Sequence, residues 1–450
     1  WRYKDEKDPV PVIDEATLPN VTVQLPIFNE RFVVERLIDS AVALNYPKDR
    51  LQIQVIDDSD DETVHVAASR IAFHQTRGIN IEHVRRSDRV GYKAGALSAA
   101  LDQAAGEYVA IFDADFQPQP DFLLETMPYF MDNPQLGMIQ ARWGHLNASE
   151  SSLTAAQSIA LDKHFVMEQN VRHRANMFPK FNGSAGIWRR VCVDDAGGWQ
   201  ADTVCEDHCL STRATLKGWD FRYLGGVVAP AELPAGIRAY KNQQARWAKG
   251  SIQCLQKYGP DIIRDGNHTV AGRLYALLSM SAYSTHILLL LLLLLQLPML
   301  LLYVSLTPLM LLFTLIGICQ PLLFIAAQKD IYPDWVRRLL YFPMLLLVAI
   351  GTAPSNARAM LLTLRRKKHH PFVRTPKGTS ATVDGFQWQR PYRLPNDGSL
   401  WVEILLAMYA ALLITIAAFR GQSGSLFLLL TCLLGFVYVA FLEIREARVH

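Results

Sequence analysis

Four short acidic clusters carry the chemistry this chain is equipped for. Asn29-Glu30 follows VTVQLP, Asp57-Asp58 ends LQIQVI, Asp113-Ala114-Asp115 ends YVAIF, and Glu206-Asp207 lies in TVCEDHCLSTR. Carboxylates repel phosphate, but they hold divalent cations that bind it. Mg²⁺ and Mn²⁺ take oxygen ligands, often one or two carboxylates completed by substrate phosphates. Asp113 and Asp115, just past an apolar strand-like run, suit such an ion, which would neutralise a departing diphosphate. An Asp-rich turn also ends strands with no ligand at all, so this pair gains its weight from the other clusters.

Asp57 and Asp58 suit contact with the base or ribose of a nucleotide, or the capping of a helix starting at Asp61-Glu62-Thr63. Lys93, in GYKAGAL, can aim its ammonium at a diphosphate from a helix start, or stay a solvated surface lysine. Glu206 and Asp207 are the candidate catalytic pair. A carboxylate within reach of an attacking hydroxyl acts as general base, and Asp207 is placed for that; the plain alternative is a first-turn acid favoured by the helix dipole. In QQARW, helical spacing puts Gln243, Arg246 and Trp247 on one face. Arg offers a planar fork to diphosphate oxygens, Trp a flat face to a sugar ring, and Gln both donors and acceptors. A membrane-docking amphipathic helix with Trp at the headgroups would look the same.

The elements that must position these residues read as alternating strands and helices. Runs 21–25, 51–56, 79–84 and 108–112 are strand-like, and 31–44, 63–74 and 94–105 carry helical periodicity. That alternation predicts a mostly parallel sheet covered by helices. Ligands bind beyond the carboxyl ends of such strands, where three of the four clusters are expected. Longer helices at roughly 119–131 and 150–174 follow, then the Gly-rich FNGSAG at 181–186, read as an acceptor-side half.

Of the 450 residues, 50% are hydrophobic and 19% charged, against about a quarter charged in soluble proteins. Mean hydropathy is +0.09. The apolar excess is concentrated after residue 268: from Leu274 to Gln328, 55 residues pass without Asp, Glu, Lys or Arg. Such a run excludes a purely soluble protein and is too long for one crossing of a ~30 Å hydrocarbon layer. It predicts helices at about 275–297 and 305–327 with a turn between Pro298 and Pro308. Ile404–Phe419 and Gly421–Leu442 predict a second hairpin. The stretch 336–364 is expected to be bent or interfacial. If it spanned, RRKKHH at 365–370 would face away from Lys329, Arg337 and Arg338, against the positive-inside rule.

The resulting division is a cytosolic α/β domain over 1–268, a membrane hairpin over 269–335, an interfacial segment and loop over 336–400, and a C-terminal hairpin over 401–450. A multi-pass protein of the cell (inner) membrane is expected, with its catalytic domain cytosolic and the lipid bilayer as a partner. The chain opens with the polar WRYKDEKDPVP, without a secretory signal pattern, and Trp1 is no initiator Met, so a segment upstream is left open. A net charge of +3 does not suggest nucleic acid. Cysteines 192, 205, 209, 254, 319 and 432 show no CxxC pair, which argues against a zinc site or disulfide framework.

In order, PIFNE, DDSDD, GYKAGAL, FDADFQP, FNGSAGIWRR, CED and QQARW resemble the processive family 2 glycosyltransferases of the GT-A (Rossmann-like) fold. Cellulose synthase, hyaluronan synthase and, most closely, the plant cellulose-synthase-like mannan and glucan synthases belong to that group. The resemblance covers roughly 21–260 and continues into the membrane part. It implies that Glu30, Asp57 or Asp58, and Lys93 bind the nucleotide. It implies further that Asp113 contacts nucleotide and donor sugar, Asp115 the metal (Mg²⁺ or Mn²⁺), and that Asp207 is the base. Gln243, Arg246 and Trp247 would bind the donor diphosphate and terminal acceptor sugar, and Gly183 and Ser184 would flank the acceptor. In PFVRTPKG, Phe372, Thr375 and Lys377 match the gating loop of cellulose synthases, while Arg374 replaces the family Val. A basic juxtamembrane loop drawn to anionic lipid would also fit. Cys205 stands where the family usually has Thr, and the membrane part is shorter than in bacterial cellulose synthase.

Three functions follow for comparison. The first is a processive synthase extending a β-linked polysaccharide from a nucleotide-sugar, with UDP-glucose as the expected donor and a GDP-mannose-dependent mannan synthase as the alternative. The second is a non-processive transferase with a glycolipid acceptor, and the third a membrane scaffold or exporter that keeps the fold without turnover. Oligomeric state is not legible.

Overall fold

The computed structural model describes residue 11 and residues 15–304, 307–365 and 398–448. Phe372, Thr375 and Lys377 of the gating-like loop lie outside these residues. Seven strands form one sheet: β1 (Val21–Ile27), β2 (Leu51–Asp57), β3 (Ile81–Val84), β4 (Tyr108–Ile111), β5 (Leu136–His145), β6 (Gly186–Arg189) and β7 (Asp220–Ala231). Their order is β3-β2-β1-β4-β6-β5-β7. β3, β2, β1 and β4 run parallel, as the alternation predicts, and β6 alone runs antiparallel to its neighbours β4 and β5.

β2 is buried at every position and β1 at all but Pro26, as central strands covered on both faces must be. Their register sets Thr22 opposite Gln52 and Gln24 opposite Gln54. These buried polar pairs satisfy one another at 2.8 and 3.0 Å. The covering helices are α1 (Val34–Val42), α2 (Thr63–Gln75), α3 (Tyr92–Leu101), α4 (Phe122–Asp132), α5 (Ser152–Lys163), α6 (Asn170–Arg174), α7 (Arg190–Asp195) and α8 (Glu206–Leu216). The helix expected over 150–174 contains a π-helical turn, His164–Gln169, between α5 and α6.

The reversed strand matters for the site. Because β6 enters beside the end of β4, with Ile111 opposite Gly186, the FNGSAG segment arrives next to the Asp113–Asp115 loop. The Ala185 N–H donates to the Ile111 carbonyl at 2.9 Å, and the Asp113 N–H donates to Ser184 Oγ at 2.9 Å.

A long helix, α9 (Ile237–Arg264), carries QQARW and leads to α10 (Val270–Met280), α11 (Ser284–Leu302) and α12 (Thr307–Ile331). The first membrane helix therefore starts later than expected, and 270–280 is a helix of its own. At the break, Ser279, Ser281 and Thr285 each turn a hydroxyl back to the carbonyl three residues earlier. Such local bonds compete with the helical ladder. Pro298, expected in the turn, lies inside α11, which ends at Tyr303 in a left-handed conformation.

Four described helical stretches are long and apolar enough to cross a bilayer: Ser284–Leu302, Trp335–Leu364, Ser399–Phe419 and Ser423–Arg448. Trp335–Leu364, expected to be interfacial, thus meets the length and composition of a span. It is nonetheless built in pieces: α13 (Trp335–Arg338), a short 3₁₀ turn, α14 (Phe342–Gly351) and α15 (Ala353–Leu364). Pro343 and Pro354 sit in the first turns of α14 and α15, where a missing N–H costs nothing. α14 packs on α5 and on the last helix, α17 (Leu426–Arg448), while α15 packs on α9 and α11. α16 (Ser399–Phe419) pairs with α17.

The α14–α17 crossing depends on two glycines. A Cβ at Gly351 would meet the Val439 side chain and stand 2.5 Å from the Gly435 carbonyl oxygen. Gly351→Leu should therefore pry the helices apart and lower stability by about 1–3 kcal/mol, the usual penalty of overpacking. Thermal unfolding of the detergent-solubilised chain checks this, with Ala349→Leu on the same helix as control.

Candidate active site

The carboxyl ends of the central strands open onto a cleft. Its walls include Lys93, Asp113, Asp115, Gly183, Glu206, Asp207, Gln243, Arg246 and Trp247. Residues from five separate stretches of sequence thus meet as expected. Glu30, Asp57, Asp58 and Ser184 do not line this cleft. Ser184 is buried beneath it and accepts from the Asp113 N–H. Asp57 is buried and bonded to the Ser59 N–H at 2.8 Å and His83 Nε2 at 2.9 Å. Burial alone would raise its pKa, but these partners hold it below the ordinary value. Asp58 takes a two-pronged contact from Arg86, at 2.7 and 2.5 Å. Arg89 stacks its guanidinium 3.3 Å from the Phe28 ring centroid beside them.

Lys93 enters from the first turn of α3, with its ammonium on Asp113 Oδ1 and, at 2.8 Å, on the Gly183 carbonyl. Burial would discharge it, but Asp113, Glu206 and Asp207 keep its pKa above the ordinary value. The ammonium therefore stays charged where a diphosphate would add further negative charge.

Glu206 and Asp207 open α8. Burial and the neighbouring Asp207 push Glu206 up to about 7. Burial also raises Asp207, opposed by Lys180 and by the His208 N–H, which donates to Asp207 Oδ1 at 2.7 Å. A carboxylate more basic than usual is better matched to taking a proton from a hydroxyl. Gly183 faces it with φ of +85°, and a Cβ there would lie 2.8 Å from Asp207 Oδ2. Glycine is required on both counts: the backbone is left-handed, and any side chain would touch the candidate base.

The π-helical turn supports the neighbouring Asn182. His164 Nδ1 bonds Glu168 at 2.8 Å, and its Nε2 lies 3.0 Å from Asn182 Nδ2. Burial lowers the His164 pKa, so the ring is neutral: Nδ1–H donates to Glu168 while Nε2 accepts from the amide. Asn182, in the cleft wall, is thereby fixed in orientation; π-turns recur at functional sites for such reasons. Sequence reasoning missed Asn182, Trp143 and His145, which also line the cleft. Trp143 and His145 close the strand ending ARWGH, and an aromatic and an imidazole at the carboxyl end of a strand were the available signal. The Trp143 N–H donates to the Ser184 carbonyl at 3.2 Å, which holds the indole in place.

Asp113 and Asp115 fit an Mg²⁺- or Mn²⁺-type ion by ligand chemistry: oxygen donors, two in number, in one cleft wall. No group of three or more His, Cys, Asp or Glu with metal-site geometry occurs among the described residues.

The family model "Glycosyltransferase like family 2" matches residues 19–250, just over half of the chain. The chain belongs to this glycosyltransferase family. Glucomannan 4-beta-mannosyltransferase 2 of Arabidopsis thaliana is 45% identical over 276 residues, 59% of this chain and 50% of that protein. Glucomannan 4-beta-mannosyltransferase 1 of Oryza sativa subsp. japonica is 41% identical over 284 residues, 62% and 54% of the two chains. This family 2 glycosyltransferase thus spans about half the length of the curated relatives it matches. Among solved structures, a mannosyltransferase from Pyrobaculum calidifontis in complex with GDP-Man and Mn²⁺ covers 82% of this chain and 93% of its own. Its TM-score is 0.50 at 21% identity, a likeness of fold. The fold is the expected GT-A arrangement with apolar helices appended.

Two outcomes follow. Gly183→Ala should cost about 1 kcal/mol of stability, from the left-handed backbone, and lower turnover at least tenfold by crowding Asp207; melting curves and nucleotide release read the two effects apart. Glu206 gives a pH dependence. Below about 4.5 its carboxyl is protonated in the folded and unfolded chain alike. As pH rises toward 7 the unfolded chain gives up the proton that the folded one retains, so this group's contribution to stability is lost over that window. Glu206→Gln should flatten the fall in melting temperature between pH 5 and 7, roughly the interval between the two values.

Proposed function

We propose that this chain is a membrane-embedded, inverting, metal-dependent mannosyltransferase that draws on GDP-mannose and extends a β-1,4-linked mannan or glucomannan. The observation that carries the chemistry is the convergence of Asp113, Asp115, Asp207 and the Gln243–Trp247 face on one cleft. The donor is supported by the relatives named as glucomannan mannosyltransferases. They favour this alternative over UDP-glucose, for which they give no support.

In this reading Asp113 and Asp115 hold Mn²⁺ or Mg²⁺, which offsets diphosphate charge when bound. Lys93 and Arg246 contribute fixed positive charge to the same phosphates. Trp247 stacks on the terminal acceptor sugar, with Gly183 and Asn182 flanking it. Asp207 accepts the proton of the acceptor hydroxyl as the oxygen attacks the anomeric carbon from the face opposite the leaving group. Glu30, Asp57 and Asp58 border the nucleotide at the ends of β1 and β2. The domain faces the cytosol, and 336–364 lies along that face of the membrane.

Purified protein with Mn²⁺ should release GDP from GDP-mannose at least tenfold faster than UDP from UDP-glucose, and should yield a ladder of β-mannosidase-sensitive oligomers. Faster UDP release would restore the glucose donor, and a single-sugar lipid product the non-processive reading. Asp207→Asn should lower turnover by about 10²–10⁴-fold, the usual share of a general base. Unchanged turnover in that variant would contradict Asp207 as base.

A further inference from the structure

Lys241, two residues before Gln243, does not face the cleft. It is 2% exposed, and its ammonium donates to Glu403 Oε1 and Glu443 Oε2, both at 2.7 Å, and to Ser399 Oγ. Glu403 and Ser399 belong to α16 and Glu443 to α17, and both glutamates are at most 1% exposed. Next to them, Glu446 Oε2 accepts from the Arg238 N–H at 3.3 Å, and Arg238 Nε lies 3.5 Å from Glu443. The N-cap of α9 is Gly236, which has no side chain to cap with, so Glu446 of α17 supplies an acceptor at this helix start.

A helix turns about 100° per residue. Lys241 therefore sits some 200° around α9 from Gln243, and more than a quarter turn from Arg246 and Trp247. One side of the helix is tied by charge to the C-terminal membrane hairpin, while the other presents the cleft residues. Buried ion clusters are poor stabilisers, because desolvation offsets their attraction, and their best-attested use is to fix the register of the elements they join.

We infer that Lys241, Glu403 and Glu443 form a positioning latch through which the α16–α17 hairpin sets the rotation and axial register of α9, and so the aim of Arg246 and Trp247. The catalytic part of this inference rests on the proposed transfer reaction; the structural part does not.

The test uses the full chain in nanodiscs. Lys241→Met/Glu403→Gln/Glu443→Gln replaces the cluster with neutral groups of similar size. Deuterium exchange of peptides covering 237–250 should then be at least about tenfold faster, with β1–β4 unchanged. In GDP release from GDP-mannose with Mn²⁺, kcat should fall about tenfold or more while KM for the donor moves less than about threefold, the pattern of misplaced but intact groups. Lys241→Arg should retain at least half the parental kcat. Parental exchange over 237–250 in the neutral variant, or parental kcat, overturns the latch. If the triple variant does not fold, Glu403→Gln, which leaves Lys241 paired with Glu443, is read by the same two criteria. If the unaltered chain transfers no sugar from any nucleotide-sugar, the proposed function fails, and exchange alone decides the latch.

Discussion

Like charges are held together in one cleft of this molecule. Asp113, Asp115, Glu206 and Asp207 share a cavity whose fixed positive charges include Lys93 and Arg246. Two of the four have raised proton affinity, Asp207 through burial and Glu206 through burial together with the neighbouring Asp207. Hydrophobic association cannot hold such a group in place, and the backbone must do it. The parallel strands deliver the Asp113–Asp115 loop, the reversed β6 delivers Gly183 against Asp207, and the first turn of α8 presents this candidate base with its helix dipole behind it.

How much of this was legible in the residues varies by cause. The strands were visible because parallel strands buried on both faces read as apolar runs, and the acids ending them fell where ligands bind in such sheets. QQARW spacing gave the right face of α9. Asn182, Trp143 and His145 were hidden because their roles depend on what the fold sets beside them; Trp143 is oriented by the Ser184 carbonyl, 41 positions away. The late start of α11 was hidden for a local reason. An uninterrupted apolar count cannot register three hydroxyls folding back on the chain.

The membrane helices are joined to the transferase domain by polar contacts as well as apolar ones. Asp162 of α5 accepts from Gln328 of α12 at 2.9 Å and bonds His145, a cleft residue, at 2.8 Å. Arg338 closes the same network through Gln328 at 2.6 Å and Ser158 at 3.1 Å. Tyr283, just before α11, donates to Gln244 at 2.9 Å. β5 and α9, which both contribute cleft residues, are thus each bonded to the helical part of the chain.

Arg420, at the far turn of the second hairpin, donates to the carbonyls of Leu300 and Leu301 at 3.1 and 2.9 Å. It supplies partners to the exposed end of α11, whose last carbonyls have none within their own helix. The end of α11 and the turn between α16 and α17 are therefore joined through polar groups as well as through the apolar side chains of the two hairpins.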